Sequence, residues 1–334
     1  MTARKRFRLE YHERTALGFV QLLSPVSGIL AAAEVDADLI YRGHGSNRYG
    51  LIPNAHRRSG FLFLDRRFRG RRTVENQLAS EVVNLAEFFK LANARGLKIP
   101  EDSQALRRML ASPEEFVGRV VEGKEVWPPE RAFSALALAQ HYGMLTRLLD
   151  WTYRPYVAAY FAANGALSSR SAGRLSVWAF NREVLNREMY DRLDRIIQVV
   201  TAPASDIPNL SAQHGLFLAA IQGKPTRIEP FRAQPLDRII IDRLGFFTSG
   251  PMFYQFTLPT SQASELLRHL HDLGVDASSV FPGYQGVVNA LEERALHPRY
   301  GSSAATRACR HAKRRYAPAL KRWRRQEATW KPEE

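Results

Sequence analysis

Apolar positions recur at helical spacing through the first half of the chain and alternate in short strand-like runs through the second. Residues 15–33 (TALGFVQLLSPVSGILAAA) have helical spacing broken at Ser24-Pro25, which predicts two short helices. Residues 38–42 read as a strand entering a Gly43-His44-Gly45-Ser46 turn. A long helix over 74–95 puts Leu78, Val82, Leu85, Phe88 and Phe89 on one face and stops at Gly96, and shorter helices are expected over 103–111 and 113–122. Phe133, Leu136, Ala137, Gln140 and His141 then keep helical spacing up to Gly143. A strand starts at Leu148-Leu149, and Pro155 opens a helix with Val157, Ala158, Phe161 and Ala162 on one side and Thr152 as a candidate cap. Further strands are predicted at 174–180, 213–219, 238–242, 253–258 and Val280-Phe281. Asn181 is placed to cap a charged helix over 182–199, and another helix covers 261–273. Helices ahead of strands predict an α+β fold, a mainly helical first half on a mixed or antiparallel sheet.

Between residues 136 and 163 this pattern carries more polar chemistry than core packing needs. Gln140, His141, Tyr142, Thr146, Arg147, Asp150, Trp151 and Thr152 lie among apolar residues, and that many buried polar atoms require either a hydrogen-bonded network or a cleft to line. No HExxH, paired cysteines or G-x-S-x-G elbow is present, and His269 and His271 fall on diverging sides of a helix. A metal-free site built from Arg, His, Asp and Gln is the expectation. Cys309 is the single cysteine and no stretch approaches the ~20 apolar residues of a membrane span, which predicts a cytoplasmic protein without a membrane partner.

The charge is localised. Eight arginines face one aspartate between residues 48 and 72, eleven Lys or Arg face three Glu over 298–334, and together these account for the whole formal net charge of +15. Two polyanion-seeking segments, for nucleic acid or an acidic protein surface, are thus attached to a neutral body. The second interleaves Tyr316, Trp323 and Trp330 with its cations, and it reads as a helical or disordered tail. The expected division is a basic segment over 1–13, one main domain over 14–296 and the tail over 297–334.

The block ALAQHYGMLTRLLDWTYRPYVAAYFA (137–162) closely resembles the signature of the FRG domain, a bacterial family named for a Phe-Arg-Gly-like tripeptide. Tyr41-Arg42-Gly43 is similar to that tripeptide, PNLSAQHGLF (208–217) to a later Gln-x-Gly-x-Phe element, and SSVFPGYQGVVNAL (278–291) to a closing Phe-Pro strand and helix. A more remote likeness is to ADP-ribosyltransferases, whose split sheet opens with an aromatic-Arg-Gly strand and continues with a second strand followed by an Ala-x-x-Phe-Ala helix. That resemblance implies NAD as a substrate and a site assembled from Arg42, Gly43, Ser46, His141, Tyr142, Arg147, Asp150, Trp151, Thr152 and Gln213. In it Arg42 holds the pyrophosphate, Gly43 offers backbone to the nicotinamide amide, and Tyr41, Tyr142 or Trp151 stacks on a ring. Gln213 stands where those enzymes carry a carboxylate, so Asp150 is the candidate charge near the ribose; it is otherwise a structural partner of Arg147. His141 is either part of the site or a hydrogen-bonded histidine at a helix end. Two functions follow. One is an NAD-consuming effector, of defence or toxin type, acting on a nucleic acid or protein. The other is a non-catalytic nucleic-acid-binding module that uses the two Arg-rich segments.

Overall fold

The computed structural model describes residues 7–29, 38–57, 73–169, 172–186, 196–203, 205–224, 231–244 and 250–296. Strands β1 (Arg8–His12), β2 (Leu39–His44), β3 (Leu148–Thr152), β4 (Arg174–Asn181), β5 (Ile197–Val200), β6 (Gly215–Ala220) and β7 (Phe253–Pro259) form one sheet in the order β1-β7-β4-β2-β3-β6-β5. β1 runs parallel to β7 and the other pairs are antiparallel, so the sheet is mixed. Its central joint is weak. β2 and β4 are in register over six residues, whereas β2 and β3 share the single pair Tyr41 and Thr152, beyond which the two strands splay apart.

Helix α1 (Ala16–Leu22) precedes β2, and α2 (Val74–Ala94), α3 (Gln104–Ala111), α4 (Pro113–Val121) and α5 (Phe133–His141) fill the stretch up to β3. After β3 come α6 (Pro155–Ser168), α7 (Glu183–Asn186), α8 (Pro208–Ala212), α9 (Leu236–Leu244), α10 (Ala263–Asp272), α11 (Ala277–Val280) and α12 (Tyr284–Leu296). The mixed α/β architecture and its helical first half agree with the sequence pattern.

Strand alternation sends Ile40, Leu149, Trp151, Trp178, Phe180, Leu216 and Phe253 to one face of the sheet, where Leu236 and Ile240 of α9 cover them. The opposite face is divided at the splay. On the β2 side Tyr41, Val177 and Phe256 pack against the alanine-rich α6, with α10 and α1 beyond it. On the β3 side Leu148, Phe217 and Ala219 pack against α2 to α5, a helical layer built on Leu78, Val82, Leu85, Phe116 and Leu136.

Several elements differ from the sequence pattern. Residues 8–12, within the basic segment expected over 1–13, form edge strand β1, which hydrogen-bonds along β7. The 238–242 run is not a strand: Leu236 and Ile240, a helical turn apart, are buried together in α9. Of the charged helix expected over 182–199, the start forms α7, with Asn181 Oδ1 accepting from the Glu183 N–H at 3.0 Å, residues 187–195 lie outside the described residues, and the end is strand β5, where β-branched Val199 and Val200 pair with β6. Val280 closes α11, capped by Asp276, instead of starting a strand. Gly43 and His44 belong to β2 rather than to a turn. The tail over 297–334, Cys309 and most of the Arg-rich run, 58–72, lie outside the described residues. Among the described residues no helix is long and apolar enough to cross a membrane.

Candidate active-site cleft

Where β2 and β3 part, a cavity of about 420 Å³ opens. Arg42, Asp150 and Gln213 all line it, together with Tyr49, Arg57 and Phe161. The splay itself explains the placement of Arg42. Its guanidinium Nη1 donates to the Asp150 carbonyl oxygen at 2.5 Å, so the side chain satisfies a backbone acceptor that has lost its ladder partner. The same nitrogen reaches Asp150 Oδ2 at 3.2 Å. Arg42 Nε–H donates to His44 Nε2 at 3.0 Å, which leaves His44 as the neutral imidazole.

The cleft is electropositive. Arg57, held by a bond from its Nε to the Ile52 carbonyl (3.1 Å), joins Arg42 on the wall against Asp150, the single carboxylate that lines it among the described residues. Burial, reinforced by these two guanidinium charges, lowers the His44 pKa to about 3, with the Tyr49 backbone opposing the shift. Burial, aided by the Arg42 charge, also lowers the pKa of Arg57.

Close packing of β2 on α6 sets the other wall. A Cβ on Gly43 would lie 1.9 Å from the Ala158 carbonyl oxygen, and one on Gly45 would lie 2.5 Å from the Gly165 carbonyl carbon. No side chain fits at either position, so the glycine of the Tyr41-Arg42-Gly43 tripeptide is required by helix-on-strand contact. Its backbone borders the cleft as well.

The remaining candidates separate into two groups, those that touch the cavity and those that lie off it. Thr152 and Trp151 touch the cavity, but their polar or aromatic parts are engaged elsewhere. Thr152 Oγ1 donates to the Gln213 carbonyl at 2.6 Å and accepts from the N–H of Arg154, the residue capping α6, at 3.0 Å. Trp151 is 3% exposed and packs near Phe180, so it is core rather than a stacking platform. Tyr41 is likewise buried, and burial raises its phenol to about 12. Gln213 ends α8 just ahead of β6 rather than within a strand, with Nε2 at 3.4 Å from the Val280 carbonyl.

Four candidates lie off the cleft. Ser46 is buried and its hydroxyl accepts from the Arg48 N–H at 3.3 Å. His141, whose pKa burial lowers, borders a separate cavity of about 90 Å³ on the other side of Asp150 and Gln213. Tyr142 is 74% exposed and makes an edge contact with His141 (4.9 Å between ring centres), lining neither cavity. Arg147 does not pair with Asp150. It is buried, with Nε donating to Glu81 Oε2 at 2.6 Å and Nη1 to the carbonyls of Trp127 and Ala220 at 3.2 Å each.

Glu81 is the centre of a network that the helical pattern of α2 conceals. Its carboxylate also accepts from Gln77 Nε2 (2.7 Å), Trp127 Nε1 (2.9 Å) and His56 Nε2 (3.2 Å). Burial alone would raise the Glu81 carboxyl, but the Arg147 guanidinium and the His56 hydrogen bond outweigh it and hold it well below the usual carboxylate range. This network ties α2 to the start of β3 and so fixes the strand that carries Asp150. Glu81 sits among Leu78, Val82 and Leu85 on the buried face of α2, and that mismatch was the one signal of it in the sequence. His44, Tyr49, Arg57 and Phe161 were also missed as cleft residues. Only His44, flanked by two glycines next to Arg42, stood out.

The chain is therefore a mixed α/β protein whose sheet splits around a basic, ligand-sized cleft with one carboxylate at its edge. The FRG domain family model matches one stretch of the chain, residues 37–171. It contains Arg42, Asp150 and the Glu81 network, while Gln213 lies beyond it. Searches of the curated proteins and of the solved structures each gave no match. Among the described residues no group of three or more His, Cys, Asp or Glu is placed to hold a metal ion.

Proposed function

We propose that the cleft binds NAD and that the chain transfers ADP-ribose from it to a macromolecular acceptor, a nucleic acid or a protein, as an effector of defence or toxin type. The observation that carries this reading is the convergence of Arg42, Asp150 and Gln213 on one cavity at the split of the sheet. The residues fit such a ligand: two guanidiniums suit a pyrophosphate, Tyr49 and Phe161 supply aromatic walls, and the cavity volume lies in the range of small-molecule sites. When bound, NAD supplies a ribose carbon activated by its cationic nicotinamide leaving group. The bond to nicotinamide breaks with its electron pair on the departing nitrogen, and the ribose carbon bonds to the acceptor nucleophile, whose proton passes to solvent. Asp150 places negative charge beside the ribose as positive charge develops there. Arg42 and Arg57 hold the diphosphate. Gln213, an amide where related chemistry uses a carboxylate, orients by hydrogen bonding rather than by charge. The basic segments over 48–72 and 298–334 recruit a polyanionic acceptor.

The test is incubation of purified protein with labelled NAD and cell extract. Label should appear on a macromolecule with the wild-type chain and fall at least tenfold with Arg42→Ala. Absence of label with the wild-type chain, together with salt-steep polyanion binding that is unaffected by Arg42→Ala, would instead support the binding-module function.

A further inference from the structure

A line of hydrogen bonds ends on Asp150, and each donor in it has a fixed direction. The backbone N–H of Leu148 donates to Thr146 Oγ1 at 3.1 Å, so the hydroxyl's own proton is directed to its neighbour, Gln140 Oε1. A carboxamide that accepts at its oxygen presents its NH2 at the other side, and Gln140 Nε2 donates to Asp150 Oδ1 at 2.6 Å. The second carboxylate oxygen, Oδ2, accepts from Arg42. The Asp150 side chain is 57% exposed, so packing does little to hold it and these two bonds set its orientation.

The two bonds respond differently to a ligand. An anion arriving at Arg42 competes with Asp150 Oδ2 for the same guanidinium and releases that oxygen. Gln140 borders only the smaller cavity and is out of the ligand's way. We infer that Gln140 is a positioning residue, locked in one amide orientation by Thr146, which keeps the Asp150 carboxylate aimed into the cleft after Arg42 has turned to the ligand. This inference rests on the reading of the cleft as an NAD site.

Full-length Gln140→Leu, Thr146→Val, Thr146→Ser, Asp150→Ala and the Gln140→Leu/Asp150→Ala double variant test it. With NAD as the probe, Gln140→Leu should lower kcat about tenfold with KM within twofold. Thr146→Val should act in the same direction, and Thr146→Ser, which keeps the hydroxyl, should restore wild-type turnover. In urea unfolding the double variant should be no less stable than the weaker single variant, because the two changes remove one shared bond. Unchanged kcat in Gln140→Leu, equal behaviour of the Val and Ser variants at 146, or additive losses of stability would each overturn the inference. Absence of NAD cleavage in the wild type would remove the assigned role along with the NAD reading. The unfolding cycle would then still decide whether Gln140 anchors Asp150, which keeps the two failures distinct.

Discussion

His44 is 6% exposed, accepts a hydrogen bond from Arg42 Nε–H and faces two guanidiniums, and the fold therefore keeps it uncharged. The unfolded chain takes up a proton on this ring near its ordinary pKa of 6.5, whereas the folded chain does so only near 3. Acidification thus favours the unfolded state progressively through that window, and the stability present above pH 6.5 is lost by an amount on the order of 5 kcal/mol. His44→Gln keeps an acceptor for Arg42 Nε without a titrating ring. Its urea midpoint should fall less between pH 6.5 and 4 than that of the wild type, and parallel curves would contradict the assignment. Glu81 gives a second prediction at this scale. Glu81→Gln removes the counter-charge of buried Arg147 and should cost about 3–5 kcal/mol of unfolding free energy, measured in urea at pH 7. A loss below ~1 kcal/mol, the range of exposed ion pairs, would contradict the buried network.

Among the elements, the contact of β2 with α6 shapes the cleft wall, and it depends on Gly43. Gly43→Ala places a methyl group against a backbone carbonyl that no rotamer change relieves, so a loss of about 2–3 kcal/mol or more is expected by chemical denaturation. A neutral substitution would show that helix and strand are less tightly joined. Tyr41 and Arg42 were legible as a strand, but Gly43 was assigned to a turn and to ligand contact because the alanines it touches, Ala158 and Ala162, lie more than a hundred residues away. The same limit governs the other elements. Helices α2, α5 and α6 were legible, since their apolar faces and the residues that bound them, Gly96 after α2, Gly143 after α5 and Pro155 at the start of α6, are local. β1 and β5 were not, because edge strands take their order from neighbours: β7 for Arg8–His12 and β6 for Ile197–Val200. Three consecutive isoleucines at 239–241 suggested a strand, and burial of Leu236 with Ile240 decided for a helix.

For the whole molecule, the sequence indicated the cleft through residue types but not through their partners. Arg42, Asp150 and Gln213 line one cavity, and yet Arg147, adjacent in sequence to the Asp150 strand, turns to Glu81 while Arg42 takes Asp150. Which arginine pairs with which carboxylate depends on the splay between β2 and β3, and no local pattern encodes it. The charge distribution gives a prediction of its own. Removing residues 297–334, which carry more than half of the net charge, should weaken binding to a nucleic-acid polyanion and flatten its dependence on salt, read as the slope of log affinity against log salt. An unchanged slope would place the contact elsewhere.

The most direct test of the central claim is calorimetric titration of NAD into the full-length chain and into Arg42→Ala, with circular dichroism confirming that both are folded. The account predicts saturable binding to the wild type and at least a tenfold weaker affinity for the variant. No binding to the wild type, or equal binding to both proteins, would contradict it.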